Sequence, residues 1–153
     1  MNSKPLASYA ELDQISRYML VWANTFPDKP VSVIKYEFLD MDGGDETSMA
    51  LSTIQGAYVV RQYLSGDYIG EYQFKLIYRI KPGNSNDKRL KADEMLNRFG
   101  DWARGQRPDL GDGIQATRIE PTTQSSKFAA YDNGYEDYQI MMKLTYFRKG
   151  KRL

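Results

Sequence analysis

The chain has 153 residues, a length that suits one domain with its own hydrophobic core. It contains neither Cys nor His, which excludes disulfides, thiolate nucleophiles, Cys/His zinc sites and Ser-His or Cys-His catalytic pairs. Its 21 Lys and Arg and 20 Asp and Glu give a net charge of +1, which argues against a protein that neutralises phosphates broadly. Catalysis would have to use carboxylates, Lys, Tyr, Ser or a hard metal ion, so the composition favours a non-catalytic protein.

The sequence also lacks membrane and export signals. No apolar run approaches the roughly 20 residues that a membrane-spanning helix needs. The first residues lack the apolar centre of a secretory signal, so we expect synthesis in the cytoplasm and no membrane partner. The 12 Tyr, 6 Phe and 2 Trp are typical either of a sheet-rich fold or of a protein interface, and composition leaves both readings open.

Residues 5–26 are predicted to form a helix, because apolar side chains recur at three- and four-residue spacing. This core-facing stripe comprises Leu12, Ile15, Met19, Trp22, Ala23 and Phe26, and Glu11 falls outside it. Pro27 and Pro30 end the helix, since proline lacks an amide donor.

A strand is predicted over residues 31–39, followed by the acidic, Gly-containing segment 40–46. The fifth, sixth and twelfth positions of a calcium-binding loop would fall on Gly44, Asp45 and Leu51, which do not fit that site. We therefore interpret this segment as a solvated turn.

Two strands are predicted in residues 49–64, on either side of Gly56, and a third over residues 71–81. Residues 71–81 alternate almost perfectly, with Tyr72, Phe74, Leu76, Tyr78 and Ile80 on one face. The turn at Ser65-Gly66 predicts that these strands form a hairpin.

The second half is predicted to hold a helix over residues 87–103, ended by Gly105, and strands over residues 114–121, 128–131 and 138–148. The last strand places Tyr138, Ile140, Met142, Leu144 and Tyr146 on one face. Its other face carries Met141 and Phe147 and is more apolar than a wet face, so we expect it to meet a helix or a neighbouring subunit. Residues 148–153 are predicted to be a flexible basic tail.

This order of elements predicts a single α+β domain over residues 1–153, with two amphipathic helices packed on a mainly antiparallel sheet.

The sequence resembles a family of small proteins of siphophages and prophages, known as phage minor capsid or tail terminator-like proteins. The resemblance lies in Lys4-Pro5-Leu6, Arg61-Gln62-Tyr63-Leu64-Ser65-Gly66, the run from Tyr72 to Arg79, Phe99-Gly100-Asp101-Trp102 and the segment from Tyr138 to Tyr146. It covers nearly the whole chain in element order.

The resemblance implies a tail terminator-like fold and a structural role at the head-to-tail junction of a virion assembled in the bacterial host cytoplasm. Family members form a ring, commonly a hexamer, that caps the tail tube and docks the head connector. The implied partners are further copies of the chain, the tail tube protein, the head connector or stopper protein, and passing DNA contacted without sequence specificity. The family supplies no catalytic residue, metal or cofactor.

We predict the interface on the Tyr-rich strands, at Arg61, Tyr63, Tyr68, Tyr72, Tyr78, Arg79, Tyr138, Tyr146 and Phe147.

Three alternative functions stay open at this point. A head-completion or minor capsid protein of the same virion cannot be separated from a terminator by sequence. A metal-dependent nuclease would have to use Asp40, Asp42, Asp45 and Glu46, the one acidic cluster worth testing. A small-ligand-binding module could line a pocket with Tyr and Trp.

Overall fold

A computed structural model describes residues 5–37, 39 and 47–150 of the chain. Within these residues the two helices are α1 (Tyr9–Ala23) and α2 (Asn86–Arg104). The strands are β1 (Ile34–Tyr36), β2 (Ser48–Gln62), β3 (Tyr68–Ile80), β4 (Ile114–Pro121), β5 (Ser126–Ala130) and β6 (Glu136–Arg148). The predicted α+β class is confirmed.

The six strands form one sheet in the order β1-β2-β3-β6-β4, and β5 pairs with the first half of β6. Its centre is the antiparallel pair β3 and β6, which are in continuous register from Tyr68 opposite Arg148 to Ile80 opposite Glu136. All pairs are antiparallel except β1 with β2, so the sheet is mainly antiparallel, as predicted.

Both helices lie on the same face of the sheet, where α1 contacts β1 and β2 and α2 contacts β3, β4 and β6. Ser8 and Ser85 start the two helices, since each hydroxyl accepts a hydrogen bond from a backbone amide three residues later. The helices meet in an aromatic cluster, in which Trp22 of α1 stacks on Trp102 of α2 with ring centroids 5.1 Å apart. Phe26 and Phe99 pack edge-on beside this stack.

A buried carboxylate ties the first turn of α1 to the end of the sheet. Glu11 is only 5% exposed and accepts hydrogen bonds from the hydroxyls of Tyr68 and Tyr146, the latter at 2.7 Å. Arg148 lies 3.5 Å from the same carboxylate. The sequence reading placed Glu11 outside the core-facing stripe. The structure buries it because two tyrosine hydroxyls and a cation compensate the loss of water.

The outer edge of β2 is covered by three different groups. β1 pairs with residues 49–51, and the backbone amide of Glu37 then donates to the carbonyl of Leu51. Glu37 has a positive φ of 57°, and its carboxylate accepts from the Thr53 amide at 2.7 Å and the Ser52 hydroxyl at 2.8 Å. Further along, residues 5–7 pair with residues 57–59 of β2.

Several predicted boundaries need correction. The first helix starts at Tyr9 rather than residue 5, because residues 5–7 pair with β2 instead. It ends at Ala23, three residues before the predicted end, because Asn24 caps it and bonds through its side chain to both backbone groups of Ile34. The predicted strand 31–39 shrinks to Ile34–Tyr36, which runs parallel to β2.

Gly56 does not separate two strands. β2 runs continuously across it, and a β-bulge with positive φ at Gln55 and Gly56 absorbs the irregularity. The predicted hairpin of β2 and β3 is confirmed, as are the β4 bounds.

The predicted flexible tail also needs correction at residues 148–150. Arg148 ends β6, the Lys149 amide donates to the carbonyl of Gly113, and the Gly150 amide donates to Asp67 at 2.6 Å. Residues 151–153 lie outside the described part of the chain.

Replacing Glu11 should destabilise the protein markedly. Glu11→Ala leaves the hydroxyls of the buried Tyr146 and the half-buried Tyr68 without their acceptor, so we expect the free energy of unfolding to fall by about 2–4 kcal/mol. Urea denaturation measures the change. Asp13→Ala is the control on the same helix, because Asp13 pairs with Arg17 in an exposed position and should lose less than about 1 kcal/mol. Equal losses for the two variants would contradict the proposed tie.

Gly70→Ala should also destabilise the fold. A methyl group at Gly70 would overlap the ring of Tyr146, which is fully buried. The overlap forces the backbone or the ring to shift, at a cost of about 1–3 kcal/mol. At the control position Gly105, an added methyl group would come no nearer than 3.9 Å to another group, so Gly105→Ala should be almost neutral. Thermal melting of both variants checks the contrast.

Candidate protein interface

Among the described elements, one face of the sheet carries no helix. We call it the open sheet face, and define it by the odd-numbered residues 69–79 of β3 and 137–147 of β6 with the β2 and β4 residues level with them. The even-numbered residues of β3 and β6, such as Phe74 and Leu144, point to the helices and contribute to the hydrophobic core. The strand alternation seen in the sequence therefore separates a core face from an open one.

Apolar side chains are spread over the open sheet face. Ile69 of β3 lies directly opposite Phe147 of β6, and both are half-buried. Ile54 and Met141 are also half-buried, and Ile77 is only 9% exposed. A face of this composition offers hydrophobic area to a partner without being wholly apolar.

One end of the open sheet face is fixed by a buried ion pair. The Arg79 guanidinium donates two hydrogen bonds to the Asp137 carboxylate, of 2.6 and 2.7 Å. The hydroxyl of Tyr131 donates to the same carboxylate at 2.7 Å, and the Tyr131 ring lies 4.9 Å from the guanidinium carbon. The Asp137 side chain is 2% exposed, so removing Arg79 would leave a buried charge with one fewer partner. The structure gives Arg79 this structural role, and its role at an interface stays a prediction.

The middle of the open sheet face balances its charges internally. Lys143 lies 4.0 Å from Glu71 and 3.8 Å from Glu120, and Lys75 lies over the ring of Phe128 at 5.4 Å. Acids and bases therefore alternate on this surface. It does not form the continuous basic surface that phosphate contacts require.

The tip of the β2–β3 hairpin presents a second exposed surface. Leu64 is fully exposed, and the guanidinium of Arg61 lies 5.3 Å from the ring centroid of the 39%-exposed Tyr63. The turn is held by hydrogen bonds from Tyr63 to Asp67 and from Gly66 back to Tyr63, with Gly66 at a φ of 91°. An ordered turn holds these three side chains outward.

The interface prediction must be corrected for three of its tyrosines. Tyr72 and Tyr146 are fully buried and Tyr138 is 3% exposed, so none of them offers area to a partner. Each ring fills the core under the helices, while its hydroxyl bonds to a polar neighbour: Ser16 and Thr53, Glu11, and Glu136 respectively.

The structure places the other six predicted residues in three regions. Arg61 and Tyr63 lie at the hairpin tip, and Arg79 and Phe147 lie on the open sheet face. Tyr68 and Tyr78 are half-buried on the helix side.

Sequence reasoning missed two exposed apolar residues near these surfaces. Leu64 is fully exposed and lies between β2 and the Ser65-Gly66 turn. A large apolar residue next to a predicted turn is the sequence feature that could have indicated its exposure. Phe128 is 43% exposed and covers Lys75 from β5, a contact that no sequence pattern indicates.

The residues considered for a metal-dependent nuclease, Asp40, Asp42, Asp45 and Glu46, lie outside the described residues. In the part of the chain that the structure describes, no group of three acidic side chains is placed to hold a metal ion. Neither α1 nor α2 combines the length and apolarity needed to span a membrane.

Comparison with solved structures finds the same fold in a virion. A chain from a structure described as the virion of a native gene transfer agent particle superimposes with a TM-score of 0.59 and 13% identity. The match covers 92% of this chain and 99% of that one. A second solved chain, at 12% identity, covers 96% of this chain with a TM-score of 0.47. No family model and no curated protein matches the sequence.

The burial of the three tyrosines predicts a two-step titration at alkaline pH. Burial raises the pKa of Tyr72 to about 12; burial, with the hydrogen bond to Glu136, raises that of Tyr138 to about 12. Burial and Glu11 raise the pKa of Tyr146 as well. Phenolate absorbance of the folded chain should therefore show these three tyrosines ionising above the ordinary range of tyrosine, near pH 10.

The same shifts fix the sign of the stability change. Unfolded tyrosine ionises near pH 10, before the buried groups do, so the free energy of unfolding should fall as the pH rises from about 10 to 12. Tyr72→Phe should make this fall shallower in urea denaturation. An unaltered slope for Tyr72→Phe would contradict its burial.

Proposed function

We propose that the chain is a non-catalytic structural protein of a phage or prophage virion, acting as one tail terminator-like domain at the head-to-tail junction. In this role it forms a hexameric ring that caps the tail tube and docks the head connector. The observation that carries the proposal is the fold shared with a chain of a gene transfer agent virion over almost the whole length of both. A shared fold does not by itself establish function, so the surfaces of this chain must also suit assembly.

The open sheet face has the size that a subunit contact requires. β3 and β6 have 13 residues each, about 40 Å of strand, and with β2 they span roughly 14 Å, which gives roughly 600 Å² of flat area. This flat area is about three quarters of the roughly 800 Å² that one partner contributes to a standard interface. Its mixed apolar and internally paired polar groups are also typical of such contacts.

A ring needs two different surfaces on each subunit, because a heterologous contact joins one patch to another on the next copy. The hairpin tip with Arg61, Tyr63 and Leu64 supplies a surface distinct from the open sheet face. We assign ring contacts to these residues and to Phe147 and Arg79, with Tyr68 and Tyr78 as peripheral contributors. The charge balance of the open sheet face suits a protein contact better than a contact with passing DNA.

Assembly of the purified protein tests the ring. We expect light scattering to give six times the subunit mass and negative-stain images to show rings. Phe147→Asp should shift the protein to monomers, since a charge buried in a contact without a partner typically costs more than about 2 kcal/mol. Val21→Asp, at a 68%-exposed site on the outer side of α1, is the matched apolar-to-acid control and should still assemble. A wild-type chain that stays monomeric at all concentrations would refute the ring.

Binding to phage parts separates the terminator role from a head-completion or minor capsid role. A terminator should co-sediment with tail tubes of its own phage that lack a terminator, whereas a head-completion protein should co-sediment with DNA-filled heads. Binding to heads alone would replace the terminator assignment.

A further inference from the structure

A cavity of about 540 Å³ lies between α2 and the end of β3, on the helix side of the molecule and away from the open sheet face. Its floor is formed mainly by Tyr78, Ile80, Ala92 and Met95. Tyr78 is half-buried here, and its hydroxyl bonds to Thr47, so its ring forms a fixed wall. The floor therefore offers a preformed site for one apolar side chain.

Cations dominate the rim of this cavity. Lys81, Lys88, Lys91 and Arg98 line it, against one carboxylate, Glu94. In a chain with a net charge of +1, four cations around one cavity are a local concentration of positive charge.

The ion pairs that these cations form within the chain are weak enough for a ligand to displace. Lys91 lies 3.2 Å from Asp87, and Arg98 contacts Glu94 and, at 3.7 Å, Asp28; all of these side chains are about half exposed or more. Such exposed pairs contribute about 0–1 kcal/mol, so an incoming carboxylate can exchange with them. Within the described residues neither Lys81 nor Lys88 forms an ion pair, and the ammonium of Lys81 lies 5.4 Å from the ring centroid of Tyr135.

We propose that this cavity binds an acidic segment of a partner protein. An apolar side chain of that segment occupies the floor, and its carboxylates meet the four cations of the rim. A protein segment fits better than nucleic acid, because a phosphate backbone would engage the rim and leave the apolar floor empty. Of the residues assigned above to ring contacts, Tyr78, a peripheral contributor, also lines this cavity.

Fluorescence anisotropy with a labelled peptide, Asp-Leu-Asp-Leu-Glu-Asp, tests the proposal on the full chain, whatever its state of assembly. We expect saturable binding that weakens with added salt. The peptide with Asn and Gln in place of its acids should bind at least about tenfold more weakly. Lys88→Glu should weaken binding by about tenfold or more. This variant should fold, since Lys88 lies in the first turn of α2, where a negative charge is favourable.

The control variant is Lys127→Glu, which makes the same charge change at an exposed site on β5 and should bind the peptide as the wild type does. Absence of peptide binding, or equal weakening by the two variants, would overturn the proposal. Displacement of the peptide by a double-stranded DNA of about 20 base pairs more readily than by unlabelled peptide would mark the cavity as a nucleic-acid site instead.

A last variant separates a partner from the chain's own acidic segment. In this variant the four acidic residues of the segment 40–46 are changed together to the corresponding amides; they are Asp40, Asp42, Asp45 and Glu46. Unchanged peptide affinity supports a partner. An affinity gain of about tenfold would mean that the chain's own acids compete for the cavity, which overturns the assignment.

Discussion

The packing of both helices on one face of the sheet is the constraint on which the other features depend. Side chains of the long strands β3 and β6 alternate strictly between the two faces of the sheet. The face under the helices therefore forms the core, and the other face does not. The helices bury the first face through the Trp22–Trp102 stack and the rings around it. On the second face Ile69 and Phe147 stay half-buried, and Arg79 and Asp137 form an ion pair with each other.

Tyrosine residues contribute to both the core and the exposed surfaces of this protein. A buried tyrosine ring adds apolar volume, but its hydroxyl must find a partner, and in this core Glu11, Ser16 and Glu136 supply one. The hydrogen bonds of Glu11 and Ser16 join elements far apart in the sequence, α1 to β6 and α1 to β3. The high tyrosine content therefore serves the core first, and only some of these residues remain for contacts with other molecules.

The sequence predicted best those features that depend on local periodicity. Alternation located β3 and β6 and grouped their side chains correctly by face, and helical spacing located both helices. The parallel pairing of β1 could not be foreseen, since it depends on Asn24 and Glu37 bonding across the chain. In β4, a bulge between Ala116 and Arg118 turns Ile119 to the same buried side as Ala116, which simple alternation puts on opposite faces.

The interface residues were the least predictable part of the site. Period two says which side chains share a face, but it does not say which face the helices cover. Tyr72, Tyr138 and Tyr146 were therefore indistinguishable by sequence from residues on an exposed face. Only the position of Trp22 and Phe99 against β3 and β6 decides between the two.

The covered edge of β2 has a consequence for the behaviour of free subunits. A bare edge strand recruits strands from other chains and starts disordered aggregation. Here the Glu37 carboxylate occupies the Thr53 amide that such a strand would need, and β1 and residues 5–7 occupy the positions on either side. Chains that accumulate in high concentration are thereby kept from polymerising through this edge.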